Sequence, residues 1–265
     1  EYTLFPPFRG DKLRAEFYLK YHNRPLDVVY SLNEEEQAKG RNLREAFGIP
    51  QEAKTITLHC REPGYLNHPS YAYHDHRDSD IETFYPAVEW LIDQGYWIVR
   101  IGDKSMKRIM THPKIVDAPF HQDYTPFVEP YFCATNEFYL GVPSGPSSIP
   151  YCYGKPTISF NSILQWAIFG FERDMWVFKK YWSKPKQRFL TFEEVIMSHL
   201  FHLARAEEFA ECEVELMDNT PEEILGGTQE MLARLRGEYK HEMDSKIQSH
   251  AKTIMKKCNY MRQAM

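Results

Sequence analysis

The chain alternates short apolar runs with stretches whose apolar residues recur every three or four positions, the pattern of strands alternating with helices. Residues 54–61, Lys-Thr-Ile-Thr-Leu-His-Cys-Arg, form the first run and are rich in β-branched residues. Asp80 then caps a predicted helix over 81–94. It carries Ile81, Phe84, Tyr85, Val88, Leu91 and Ile92 along one side, and Gly95 stops it. Residues 96–101, Tyr-Trp-Ile-Val-Arg-Ile, are the next strand. A strand, a helix and a strand in succession make a βαβ unit, and hence a parallel sheet. Further along, 115–116 read as a short strand, 126–134 as a helix despite Pro130, 138–142 as a buried strand and 157–160 as another. The predicted class is therefore α/β, a Rossmann-like parallel sheet with flanking helices.

The pattern changes on either side. Residues 1–30 hold Pro6-Pro7 and many aromatics, as a segment that packs on something would. Residues 33–47 are charged and helical, ended by Gly48-Ile49-Pro50. Residues 1–50 thus read as a linker to, or remnant of, another domain, 51–190 as the sheet domain, and 191–265 as a helical C-terminal region. Thr191-Phe-Glu-Glu and Thr220-Pro-Glu-Glu are helix starts within the last part. In between, Trp166, Phe169, Phe171, Trp176, Phe178, Tyr181 and Trp182 suggest loop and helix packed over the sheet edge. Lys179, Lys180 and residues 184–188 suggest a solvated basic patch.

Composition narrows the classes. The 265 residues are 43% hydrophobic and 15% aromatic, ample for a core and unlike a disordered chain. A formal net charge of -5 gives no electrostatic case for nucleic acid or an anionic membrane. No run approaches the roughly 20 apolar residues of a membrane helix. The five cysteines, Cys60, Cys133, Cys152, Cys212 and Cys258, form no Cys-x-x-Cys and fit buried thiols in a reducing compartment. The first residue is Glu1 rather than Met, so an upstream domain or membrane-associated partner is an expectation.

Candidate chemistry gathers where the predicted strands end. After 138–142 comes Pro143-Ser144-Gly145-Pro146, then Ser147 and Ser148 at a helix start. Such a loop is either an anion site, with free backbone N–H groups and a glycine that admits a ligand, or an ordinary strand-to-helix connection. At the end of 54–61, Arg61 is either a diphosphate ligand or the partner of Glu62 or Asp80. His59, inside the strand, reads as a core residue. Glu62 and Tyr65 share that loop, and Arg100-Ile101-Gly102-Asp103 ends the neighbouring strand in the same way.

Between them lies Tyr73-His74-Asp75-His76-Arg77-Asp78-Ser79-Asp80. His74-x-His76-x-Asp78 resembles the opening of a binuclear zinc hydrolase motif, but Ser79 stands where a further His belongs. Asp78-Ser79-Asp80 matches a metal-holding Asp-x-Asp, but precedes a helix rather than following a strand. Without a metal, His74, Asp75 or His76 is the candidate base and Arg77 a ligand of substrate. There is no Gly-x-Gly-x-x-Gly, no P-loop and no Gly-x-Ser-x-Gly, which argues against dinucleotide oxidoreductases, P-loop enzymes and α/β-hydrolases.

In combination these segments are familiar. Ser144-Gly-Pro-Ser-Ser-Ile-Pro150 after an apolar strand is similar to the donor loop of heptosyltransferase-like GT-B glycosyltransferases, with Pro143 where those enzymes often have Asp. Leu58-His-Cys-Arg-Glu-Pro-Gly-Tyr-Leu66, His74-Asp-His-Arg-Asp-Ser-Asp-Ile81, Gly95-Tyr-Trp-Ile-Val-Arg-Ile-Gly-Asp103 and Asn219-Thr-Pro-Glu-Glu-Ile224 resemble elements of a bacterial glycosyltransferase family known mainly from sequence. The His-x-Arg element is also similar to that of fucosyltransferases. The resemblance implies the nucleotide-sugar domain of a GT-B enzyme. Its donor is a nucleotide-sugar, its acceptor a glycan or lipid-linked polymer, and it needs no metal or other cofactor. By position it implies Arg61 and Arg100 against the diphosphate, and Ser144, Gly145, Pro146, Ser147 and Ser148 around phosphate or nucleotide. It places the enzyme in the cytoplasm, at the inner face of the membrane. The competing expectations are a non-catalytic module that docks through its aromatic segment, and a metal-dependent hydrolase built on His74, His76 and Asp78.

Overall fold

The computed structural model describes residues 30–64, 74–164, 173–239 and 242–257. The segment 1–29, Tyr65, Trp166, Phe169, Phe171 and Cys258 lie outside the described residues. Strands β1 (Thr55–His59), β2 (Trp97–Arg100), β3 (Ile115–Asp117), β4 (Tyr139–Gly141), β5 (Thr157–Ser162) and β6 (Met175–Phe178) form one parallel sheet in the order β3-β2-β1-β4-β5-β6. Every residue of β1, β4 and β5 is buried, as strands covered on both faces must be. This is a Rossmann-like order, and the direction of winding reverses between β1 and β4.

Helix α1 (Glu34–Ala46) precedes β1, and α2 (Tyr85–Asp93), α3 (Val128–Thr135) and the short α4 (Ile149–Cys152) lie in the crossovers. Leu43 and Phe47 of α1's end and Val128 and Phe132 of α3 cover Val99, Ile101 and Tyr139 on one face. Ala87, Val88 and Leu91 of α2 cover Ile56, Leu58 and Ile98 on the other. Asn33 and Glu36 close α1 with a capping box, bonding each other's backbone N–H at 2.9 and 2.8 Å. Mid-helix Gly40 is required because the Tyr131 ring lies where a side chain would go; a Cβ there would sit 1.7 Å from it. Residues 34–50 therefore belong to the sheet layer, and the expected boundary at 50/51 cuts through it. Asp80 Oδ1 accepts from Glu82 N–H at 3.2 Å, as a cap should. The helix it starts runs first as a 3-10 turn (Ile81–Phe84), since Pro86 has no N–H for a regular first turn.

Three expectations are corrected beyond β5. The described part of the aromatic stretch is strand rather than helix: β6 extends the parallel sheet, and β7 (Lys180–Ser183) begins an antiparallel sheet with β8 (Arg188–Phe189) and β9 (Val214–Met217). The alternation Lys180, Tyr181, Trp182, Ser183 carries the signal, with Tyr181 and Ser183 buried and the others half-exposed. Lys179 is not solvated surface. It is 5% exposed and ion-paired with Asp218. The chain from 191 is mixed rather than helical. α5 (Phe192–Ile196) and α6 (Ala206–Glu211) pack with β7 and β9 around Tyr181, Phe201 and Phe209. Pairing of β7 with β9 spans the expected boundary at 190/191. Helix α7 (Pro221–Leu235) then returns to the parallel sheet, where Ile224, Met231 and Leu232 join the core of α2. Helix α8 (Glu242–Lys257) follows.

Candidate functional site

In an open parallel sheet a crevice opens beyond the carboxyl ends of the two strands at which the winding reverses, because the connections leave to opposite faces. Here those strands are β1 and β4. One lip is formed by Arg61 and residues 74–80. The other is the turn at 143–148 after β4. Arg77 joins them, donating from Nη2 and Nε to the Pro143 carbonyl at 3.0 and 3.3 Å. Pro143, which stands where a side-chain contact from Asp is often found, contributes its backbone oxygen.

Arg61 is 8% exposed. Its Nε lies 3.1 Å from Asp78 Oδ1, and Nη1 donates to the His74 carbonyl at 3.5 Å. Its carboxylate is therefore Asp78, neither Glu62 nor Asp80. Burial raises the Asp78 carboxyl above its ordinary value, against the opposing pull of Arg61 and Lys179. Burial, then Arg77 and Arg61, lower the His74 imidazole, so it is neutral at pH 7. Asp75 is exposed beside it.

Arg100 does not face this crevice. It is wholly buried, bonded to Glu62, to Asp117 Oδ1 at 3.3 Å and to the Lys107 carbonyl. The cause is strand parity: Arg100 shares its sheet face with Ile98 and lies in register with Leu58 and Asp117. Glu62, 2% exposed, is the counterion of Arg100 rather than a group open to the crevice. Gly102 has a backbone reason for being glycine, a φ of +132° and a Cβ position 2.5 Å from Met106. Asp103 closes the turn after it by accepting from Ser105 N–H at 2.7 Å. His59 is the core residue expected. Its Nδ1 lies 3.1 Å from the Ile101 carbonyl, and burial pushes its pKa down to about 4.

The serine turn is also corrected. Ser147 N–H donates to the Ser144 carbonyl at 3.2 Å and Ser148 N–H to the Gly145 carbonyl at 3.1 Å. The Ser147 hydroxyl donates to the Ser144 carbonyl at 2.7 Å. The donors expected to be free are spent within the turn. The helix behind them, from Pro146, is a three-residue 3-10 turn and four α residues, too short for much of a dipole. Gly145 stands differently. Its φ is an ordinary -52°, and a Cβ there would meet nothing within 4 Å. The fold does not demand glycine at 145, which leaves bare backbone exposed on the lip.

Searches of the chain against protein-family models, curated proteins and solved structures find no match. The site is therefore argued from its geometry. Among the described residues no group of three or more His, Cys, Asp and Glu could hold a metal ion, and Asp78 is turned to Arg61. No described helix is long and apolar enough to cross a membrane. Two open cavities of about 400 and 350 Å³ lie among α1, α3 and the start of β1, away from the crevice.

Residues outside the expected set hold the crevice together. Asn161, at the end of β5, donates to Ser79 Oγ at 2.9 Å and exchanges bonds with Asn219. Buried Lys179 bears electrostatically on Asp78. The visible signal was an Asn-Ser pair ending an apolar run, since Asn is, among residues other than glycine, one of those that best tolerate a left-handed turn.

Proposed function

We propose that the protein is a glycosyltransferase whose nucleotide-sugar donor binds in the crevice between β1 and β4, as in the donor domain of a GT-B enzyme. The observation that carries the reading is the joining of the two lips. Arg61 and Arg77 stand on one, the Ser144-Gly145 turn forms the other, and Arg77 spans to Pro143. A guanidinium matches a diphosphate in shape and charge, and bare backbone at Gly145 gives it close approach. The sequence resemblance supports the same chemistry.

In this reading the acceptor is a glycan or lipid-linked polymer. Its hydroxyl oxygen bonds to the anomeric carbon as the bond from that carbon to the diphosphate oxygen breaks, and the electron pair leaves on the diphosphate. Arg61 and Arg77 stabilise the charge that develops there. The neutral His74 accepts the hydroxyl proton. Reduced thiols at Cys60, Cys133, Cys152 and Cys212 suit work in the cytoplasm, at the inner face of the membrane.

Thermal melting with UDP, GDP and CMP tests this. At least one of them is expected to raise the melting temperature of the wild type, and Arg61→Ala to abolish the rise. If none of the three stabilises the wild type, the donor site is not here.

A further inference from the structure

We infer that Asn161 is a positioning residue for the crevice, fixing the segment that carries Asp78 and Ser79, and through it Arg61, in the arrangement that meets the diphosphate. This rests on the nucleotide-sugar reading and adds to it a residue expected to touch no ligand. Asn161 has a left-handed φ of +53°, which side chains other than glycine adopt with strain. It sits where the pairing of β5 with β6 slips between Ser159 and Ser162, a bulge that turns a side chain out of the ladder.

That side chain is 3% exposed and fully engaged. Its Nδ2 donates to Ser79 Oγ at 2.9 Å, across 82 residues of sequence. Its Oδ1 accepts from Asn219 N–H at 2.6 Å, and its own N–H donates to Asn219 Oδ1 at 2.7 Å. Asn219 Nδ2 in turn donates to the Phe178 carbonyl at 3.0 Å. The exit of β1, the bulge of β5, the end of β6 and the start of α7 are thus tied at one point.

The tie reaches the crevice by two routes. Ser79 N–H donates to the Arg61 carbonyl at 2.8 Å, and Cys60 Sγ donates to the Ser79 carbonyl at 3.4 Å, so Ser79 holds the backbone from which Arg61 springs. Asp78, next to Ser79, holds the Arg61 Nε. Capping of the following helix is left to Asp80, so the Ser79 hydroxyl serves the clasp rather than the helix. Displacing Ser79 moves both ends of Arg61's support, and an ångström of misplacement at such a site is enough to weaken recognition strongly.

Calorimetric titration of UDP, GDP and CMP into the full chain, well below its melting temperature, tests the inference. Ser79→Ala deletes the accepting hydroxyl alone. Asn161→Gly keeps the left-handed backbone and removes both side-chain bonds, to Ser79 and from Asn219. Each variant is expected to raise the Kd of the nucleotide bound by wild type about tenfold or more. A purely structural role would lower the melting temperature and leave Kd unchanged. Wild-type Kd values in both folded variants overturn the inference while the nucleotide reading stands. Failure of the wild type to bind any of the three overturns that reading, and this inference with it.

Discussion

Arg61 and Arg100 leave adjacent strands at the same end of one sheet, yet the protein uses them in opposite ways. Arg100, still inside its strand, is sealed under the 101–114 connection with Glu62 and Asp117. Arg61, past the end of its strand, lies at the crevice, where among the described residues Asp78 is its carboxylate. Arg100 is wholly buried between two carboxylates, so no face of its guanidinium is open to a ligand. The difference teaches that position at a strand's carboxyl end does not make an arginine functional. Which face it springs from, and how many carboxylates already hold it, decide the matter.

The sharpest way to break the contrast is Arg100→Ala. It strands Glu62 as a buried charge and is expected to cost about 3–5 kcal/mol of stability, read by urea unfolding. A loss under about 1 kcal/mol would mean that Arg100 is not the sealed partner described. The second test uses His59, which lies between the two exits and bonds to Ile101. The folded imidazole titrates at about 4 and the unfolded one near 6.5, so unfolding takes up a proton between those values. Stability is therefore full above about pH 6.5 and falls as the pH drops toward 4, by about 2 kcal/mol at pH 5. His59→Gln should flatten that acid slope in urea midpoints taken from pH 7 to 5.

Arg61→Ala should cost the free protein only about 1–2 kcal/mol and remove its response to nucleotide, a loss of affinity of about tenfold or more. A variant that melts lower but keeps wild-type affinity would reverse the roles assigned to the two arginines. The smallest effect is expected from Asp78→Asn. Removing the carboxylate that holds the Arg61 Nε should weaken nucleotide binding by about threefold, less than loss of Arg61 itself, with stability lowered by about 1 kcal/mol. Tighter binding would instead make Asp78 a competitor of the ligand rather than a support of Arg61.

The parallel sheet was legible because its inner strands are buried on both faces and bounded by strong stops, Gly48, Gly95 and Gly154. The expected strands and helices from residue 33 to 162 formed, most within a residue or two of the expected ends. β6 and β7 were not legible. At a sheet edge their positions are half-buried, so aromatic and basic residues alternate without a clean apolar run. The residues at the strand ends were legible in the sequence, but their wiring was not. Asp80 was a plausible partner of Arg61 by sequence distance, yet the 3-10 turn at residue 81 commits it to capping. The clasp of Asn161 with Asn219 joins residues 58 apart, a pairing that no local pattern encodes.

Helix α7 returns from beside the second sheet to complete the first, and Gly227 lets it settle so closely on Phe160 that a Cβ there would stand 2.8 Å from the ring. The consequence lies in the order of synthesis. When β1 to β5 have left the ribosome, Ile158 and Phe160 still lack their cover, and they wait for residues 221–235 to emerge. Until then part of the nascent sheet presents an open apolar face, so the core of the first sheet closes only when residues 221–235 arrive.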